Sequence, residues 1–257
     1  MTVAGAVPVV ASWTEPEGIA PRGTVLVVPG RGEHAGVYER LGRRIAADGY
    51  RVWAVSDPTV DETRTLGQVR ELLDSVPSAE AGGAGPRPRV LVGSDTGALF
   101  AAGLVASGAV ASGPDGVEGL VLAGLTLGDA AALPDWTTEV EARTACPTHQ
   151  GRLSADPALR RGAVGERAPR AWTGRAAPAA IGVPVLGLHG EADAISPRAG
   201  VLDWYRAVPD VELVTVSGGR HDALNDQTHR TAAATLVLYL ERLRAGVPAL
   251  AVHEQVR

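Results

Sequence analysis

The sequence predicts an α/β domain built on a mostly parallel, doubly wound sheet. Apolar runs rich in β-branched residues recur along the 257 residues and alternate with helical stretches of about ten residues or more. These runs are near-continuous rather than alternating, as expected for strands buried on both faces. Hydrophobic residues make up 45% of the chain, enough to cover such a sheet from both sides, but aromatics make up only 4%, so Val, Leu, Ala and Ile must supply most of the core.

Taken in order, strands are expected over residues 7–10, 24–28, 52–55, 90–92, 120–122, 183–188 and 211–216, with helices over 37–47, 62–76, 96–107, 197–207 and 223–245. Parallel strands joined by helices imply right-handed crossovers, with functional groups at the carboxyl ends of the strands. Residues 79–88, Ala-Glu-Ala-Gly-Gly-Ala-Gly-Pro-Arg-Pro, read as a surface loop. The rhythm breaks at residues 127–180, which hold no good strand but carry Trp136, Cys146, His149, Trp172 and several Arg and Pro. The expected organisation is a core of residues 1–126 and 181–257 with a cap or lid inserted at 127–180. The tail after Pro248 is expected to be weakly ordered.

Composition excludes several functions. Net charge is −5 with no basic block, which argues against nucleic-acid binding. All 24 basic residues are Arg, and together with the abundant Ala and Gly this suggests a GC-rich bacterial genome. Cys146 is the sole cysteine, so no intrachain disulfide can form. The amino terminus lacks the charged and apolar regions of a secretion signal. No run approaches the roughly 18 apolar residues of a membrane span. A cytoplasmic location is expected.

The chemistry concentrates at three strand ends. Gly93-Ser94-Asp95-Thr96-Gly97 follows the apolar run Arg89-Val90-Leu91-Val92 and precedes a small-residue helical pattern. Strand, sharp turn and helix form the setting of a nucleophile elbow, here with aspartate at its apex. Asp193 follows the strand ending near Leu188, and His221 follows the last strand in Ser217-Gly218-Gly219-Arg220-His221-Asp222. Each has a plainer reading: close strand–helix packing for the glycines, a helix cap for Asp193, a solvated loop histidine for His221. Their joint order of nucleophile, acid and histidine favours a triad.

On these residues the chain resembles the α/β-hydrolases, closest in layout to the monoacylglycerol lipase and lysophospholipase-like branch. Val27-Val28-Pro29-Gly30-Arg31-Gly32-Glu33-His34, followed by Tyr38-Glu39-Arg40-Leu41, is similar to that branch's oxyanion loop. The resemblance implies an oxyanion hole formed by the backbone N–H groups of Arg31 and Thr96, worth about 3 kcal/mol per donor. It departs at Asp95, at Pro29 where the family usually has His, and after Asp57, where a Gly-His-Gly turn is missing.

Aspartate at the elbow restricts the reaction. Its attack on an ester carbonyl would give an anhydride, which is uphill, whereas attack on saturated carbon gives an alkyl ester. Resemblance to the aspartate-nucleophile α/β-hydrolases, dehalogenases and epoxide hydrolases, implies that Asp95 attacks, His221 activates water and Asp193 orients His221. Leaving-group residues of those groups are missing, since residues 127–180 contain no Tyr and Thr96 stands where haloalkane dehalogenases place Trp. Trp136, His149, Trp172 and Arg152 are the remaining pocket candidates. Alternatives are an esterase with Asp95 as general base, a lyase or isomerase, and a binding protein without turnover. No cofactor or metal motif stands out, and the expected partner is a small, mainly apolar substrate.

Overall fold

The computed structural model describes residues 11–75 and 86–248. The strand expected at 7–10, most of the loop at 79–88 and the tail after Pro248 lie outside the described residues. Seven strands form one sheet: β1 (Ala11–Trp13), β2 (Gly23–Val28), β3 (Tyr50–Ala54), β4 (Arg89–Ser94), β5 (Gly119–Ala123), β6 (Val185–Gly190) and β7 (Val211–Val216). Their spatial order is β1-β3-β2-β4-β5-β6-β7. All neighbours pair in parallel except β1, which runs antiparallel to β3 with Ser12 opposite Trp53. β1 is absent from the expected strands, because Ala11-Ser12-Trp13, half-buried at its ends and exposed at Ser12, carries no buried-strand pattern.

Among the described residues eight α-helices flank the sheet: α1 (Glu39–Ala47), α2 (Glu62–Ser75), α3 (Thr96–Ala106), α4 (Trp136–Arg143), α5 (Pro147–Ala155), α6 (Arg170–Arg175), α7 (Arg198–Arg206) and α8 (His229–Ala245). Two expected helices are shorter than their apolar pattern. Residues 35–38 form a single 3-10 turn before α1. Residues 222–228 are turns rather than the start of α8, because Asp222 and Asp226 spend their bonding on the loop and on its neighbours.

The pleat of the central strands divides the core in two. Leu26, Val28, Leu91, Leu120 and Leu122 face α3 together with Phe100, Trp172 and Tyr205. Val25, Val27, Val90, Val92 and Val121 face α1 and α8, against Leu41, Ile45, Leu236 and Leu240. Every residue of β2, β4, β5 and β6 is buried, which explains their near-continuous apolar runs. Between β5 and β6 the chain makes only helices and turns, α4, α5, α6 and two 3-10 turns.

The chain leaves β2 toward β3 on one side, then returns past β2 to place β4 on the other. The carboxyl ends of β2 and β4 therefore flank a topological switch point, where a doubly wound sheet opens its crevice. The loop after β2 carries Arg31, and the turn after β4 carries Asp95.

Candidate active site

Asp95 sits at a sharp turn between β4 and α3 with φ 50° and ψ −122°, a left-handed conformation that only this residue adopts among the described non-glycine residues. A non-glycine residue held there stores strain of about 1–3 kcal/mol. The flanking glycines make the turn possible. A Cβ on Gly93 would lie 2.4 Å from Ala98 Cα, and one on Gly97 would lie 2.3 Å from the Pro29 carbonyl oxygen. The helix thus starts hard against its own strand and the β2 loop, and Asp95 points into the switch-point crevice. Ser94, one step earlier, instead meets the Tyr38 hydroxyl.

Asp193 and His221 reach the same point from the ends of β6 and β7. Asp193 Oδ1 accepts from the N–H groups of Ile195 and Ser196, at 2.9 and 2.8 Å, which leaves Oδ2 for His221 Nδ1 at 2.9 Å. On its other side His221 Nε2 lies 3.2 Å from Asp95 Oδ1. That is ion-pair distance, but the alignment is too poor for a hydrogen bond, and Nε2 has no other partner. His189, behind Asp193, holds the Ser196 carbonyl at 2.7 Å, and burial pushes its pKa down.

The residue the sequence reading underused is Arg31. It was expected to contribute only its backbone N–H, which does donate to Asp95 Oδ2 at 3.1 Å. Its side chain closes over the same carboxylate as a fork, Nε to Oδ2 at 2.8 Å and Nη2 to Oδ1 at 2.9 Å. The remaining Nη1 donates to the carbonyls of Asp129 and Glu166, at 2.8 and 2.6 Å, in the helical segment. Arg31, Asp95 and His221 are each at most 2% exposed, so the described conformation is closed to solvent. Thr96, the other expected hole residue, opens α3, so its N–H belongs to the first-turn donors without an intrahelical acceptor. Its buried hydroxyl is also unpartnered.

The charges set the protonation. Burial would drive the Asp95 pKa up, but the Arg31 guanidinium and then His221 outweigh it and hold the carboxyl well below the usual range. Burial would likewise lower His221, yet Asp193 and then Asp95 raise it to about 10. At neutral pH the four groups form a balanced cluster of two cations and two anions. Because His221 binds its proton more tightly folded than unfolded, its stabilisation is complete below its ordinary value of 6.5 and is lost as pH rises through about 10. The free energy of unfolding should therefore fall between pH 7 and 9.5, by up to about 1.4 kcal/mol per pH unit, read from denaturation midpoints. His221→Gln should flatten that slope, and an unchanged slope would contradict the assignment.

The three expected pocket residues are not brought together around Asp95. Trp172 packs on Phe100, and its indole N–H donates to Glu62 at 2.7 Å. Trp136 lies under the Arg161 guanidinium. His149 Nε2 is 3.3 Å from Asp222. Arg152 is paired with Glu39. Trp172, His149 and Arg152 spend their polar groups on the protein itself, while the Trp136 indole N–H is buried without a hydrogen-bond partner. Behind the β2 loop, a second charged cluster also escaped the sequence: Arg143 of α4, fully buried, lies 3.1 Å from Glu139, 3.4 Å from Glu33 and 3.6 Å from Asp222. Its Nη2 donates to the Arg31 carbonyl at 3.2 Å. Among the described residues no group of His, Cys, Asp and Glu is arranged to hold a metal, and no helix is long and apolar enough to cross a membrane.

The fold, in contrast to the site, has close counterparts among known structures. A monoacylglycerol lipase from Paleococcus ferrophilus superimposes with a TM-score of 0.68 at 20% identity, over 92% of this chain and 98% of that one. The chain has the α/β-hydrolase fold. A soluble variant of monoglyceride lipase from Saccharomyces cerevisiae, in complex with a substrate analog, shares the α/β-hydrolase fold with a TM-score of 0.70 at 18% identity, over 91% of each chain. In sequence, the chain is 28% identical to a monoacylglycerol lipase of Mycolicibacterium smegmatis over 233 residues, 80% of this chain and 83% of that protein. No protein-family model matches.

Proposed function

We propose that this chain is a hydrolase of a small substrate that works through an alkyl ester on Asp95. The lipase relatives and the shared fold support hydrolysis as the class. One observation carries the covalent route: the Arg31 backbone N–H already holds Asp95 Oδ2. The donor that would serve a substrate's oxyanion is aimed at the elbow's own carboxyl oxygen, where the carbonyl oxygen of an Asp95 ester would lie. A general-base mechanism on an external ester would leave that ester's oxygen without this donor.

Asp95 Oδ1 then attacks saturated carbon and the leaving group departs with its electron pair. Esterification removes the charge of Asp95, one of the two carboxylates that hold the proton on His221, and His221 gives that proton up. Neutral His221 then takes a proton from water, and the hydroxide adds to Asp95 Cγ. The bond from Cγ to the substrate oxygen breaks and His221 returns its proton to that oxygen; the Asp95 carboxyl, now with one oxygen from water, then passes its own proton to His221, which restores the carboxylate and the resting ion pair. Residues 127–180 would act as the cap: Arg31 is fastened to the Asp129 and Glu166 carbonyls, so opening the segment and withdrawing the fork are one motion.

The same fork favours a second reading, a ligand-binding protein whose triad has become a closed ion-pair cluster. Single turnover in heavy-oxygen water separates the two, with halide, epoxide and ester panels as substrates. Incorporation of the label into the peptide bearing Asp95 supports the ester. Turnover without label removes it, and ligand-raised thermal stability without any turnover supports the binding reading.

A further inference from the structure

We infer that His189 is a positioning residue: its Nε2–H holds the loop that carries Asp193, and so keeps one Asp193 oxygen turned to His221. This rests on the reading of Asp193 as the group that orients His221, and it adds the residue that fixes Asp193.

Strand periodicity places the imidazole. Along β6 the side chain of His189 shares a face with Val185 and Gly187, beneath α7. A Cβ on Gly187 would lie 2.9 Å from the Tyr205 ring of that helix. His189 is therefore the one polar member of its row, and it is fully buried. The Ser196 carbonyl, just ahead of α7, lies 2.7 Å from Nε2. A carbonyl only accepts, so Nε2 carries the proton. Burial pushes the ring's pKa below its ordinary value against the pull of Asp193, and the charges of His221 and Arg198 push the same way as burial. The ring is thus neutral at pH 7, with Nδ1 bare.

The loop explains what this proton does. Asp193 Oδ1 accepts from Ile195 and Ser196 N–H, which requires Ser196 to stay in place. Two side-chain bonds hold Ser196 there. Its own hydroxyl donates to the Leu125 carbonyl after β5, at 2.7 Å, and its carbonyl accepts from His189. With Oδ1 spent on the loop, Oδ2 is left for His221 Nδ1. The same His189 Nε2 also lies 3.3 Å from that Oδ2. Its N–H dipole favours the ionised carboxylate and opposes rotation of Oδ2 away from His221.

A histidine kept for packing alone would have both ring nitrogens paired. Nδ1 of His189 is buried without a partner. An aliphatic side chain, such as Val185 on the same face, would avoid that cost. What the position gains is an N–H placed between the Ser196 carbonyl and the oxygen that faces His221. Asp193 so fixed keeps a proton on His221 Nδ1 and leaves Nε2 toward Asp95, at 3.2 Å. His189 acts through Asp193 and not on the reacting atoms themselves.

Imidazole NMR on nitrogen-labelled protein reads tautomer and titration together, with His189 and His221 assigned by the signals that their variants lose. The wild-type protein should show His189 protonated on Nε2 alone at neutral pH, and His221 titrating near pH 10. His189→Asn and His189→Gln both supply an amide, but only the Gln side chain extends its N–H to the place of Nε2. The His221 midpoint should fall by about one unit or more in His189→Asn and stay near the wild-type value in His189→Gln. An unchanged midpoint in His189→Asn, or equal falls in both variants, overturns the inference while leaving Asp193 as the orienting group. Should His189→Asn fail to fold, the wild-type tautomer and His189→Gln decide: a proton on Nδ1, or a lowered midpoint with Gln, overturns it. A wild-type His221 that titrates near its ordinary 6.5 removes the reading of Asp193 and this inference with it.

Discussion

Arg31→Met is expected to destabilise the fold by about 3–5 kcal/mol, because it leaves the Asp95 carboxylate buried without its counter-charge. Arg31 contributes three hydrogen bonds to that carboxylate, one from the backbone and two from the fork, and the substitution removes the two strongest. His221 cannot replace them, since its Nε2 lies at ion-pair distance without good alignment. Asp95→Asn should also be costly, through the opposite orphan, a buried guanidinium. The double variant Arg31→Met/Asp95→Asn should then recover about 2 kcal/mol or more relative to the sum of the single losses. Asparagine tolerates positive φ, so the elbow itself need not be lost. Equilibrium denaturation of the four proteins at pH 7 gives this coupling directly. Single losses under about 1 kcal/mol with additive behaviour would mean that the fork does not hold the site.

That pairing marks the limit of what the sequence could reveal. Asp95, Asp193 and His221 were legible as candidates because each follows an apolar strand run, and a parallel sheet carries all such ends to one edge. The glycines at 93 and 97 were legible because a strand packed tightly on the next helix leaves no room for Cβ. Arg31 was read only for its N–H. Nothing local says that a side chain 64 residues away will fold over the carboxylate. Trp136, His149 and Trp172 failed as a group for the related reason that helix direction in residues 127–180 depends on tertiary packing, not on which residues have useful chemistry. The antiparallel β1 is stabilised by β3 and by Trp13, whose indole occupies the space left by the absent Cβ of Gly42, a contact that no periodicity reports.

Arg143 takes this further, since its removal should be as damaging as that of Arg31 while touching no reacting atom. Arg143→Leu is expected to cost about 3–5 kcal/mol at pH 7, because Glu33, Glu139 and Asp222 would face one another in the interior. The pH dependence should identify the cause. Burial and then Asp222 already raise the Glu33 pKa, against the pull of Arg143. Without that pull, folded Glu33 would hold its proton well above the unfolded range. Its stabilisation would be present at low pH and lost as pH rises, so the variant's deficit should be largest at neutral pH and shrink toward pH 5. Glu33→Gln in the same background should restore part of the loss at pH 7. It keeps a side chain able to accept from Gly30 N–H, the bond that Glu33 Oε2 accepts in the native protein. The site should change as well. Arg143 holds the Arg31 carbonyl through Nη2, and its own carbonyl accepts from Asp222 N–H, next to His221. One buried side chain of α4 thus ties the β2 loop to the histidine loop. If Arg143→Leu lowers stability equally at pH 5 and pH 7, packing and not charge would be what Arg143 supplies, and its hold on both loops would have to act through shape alone.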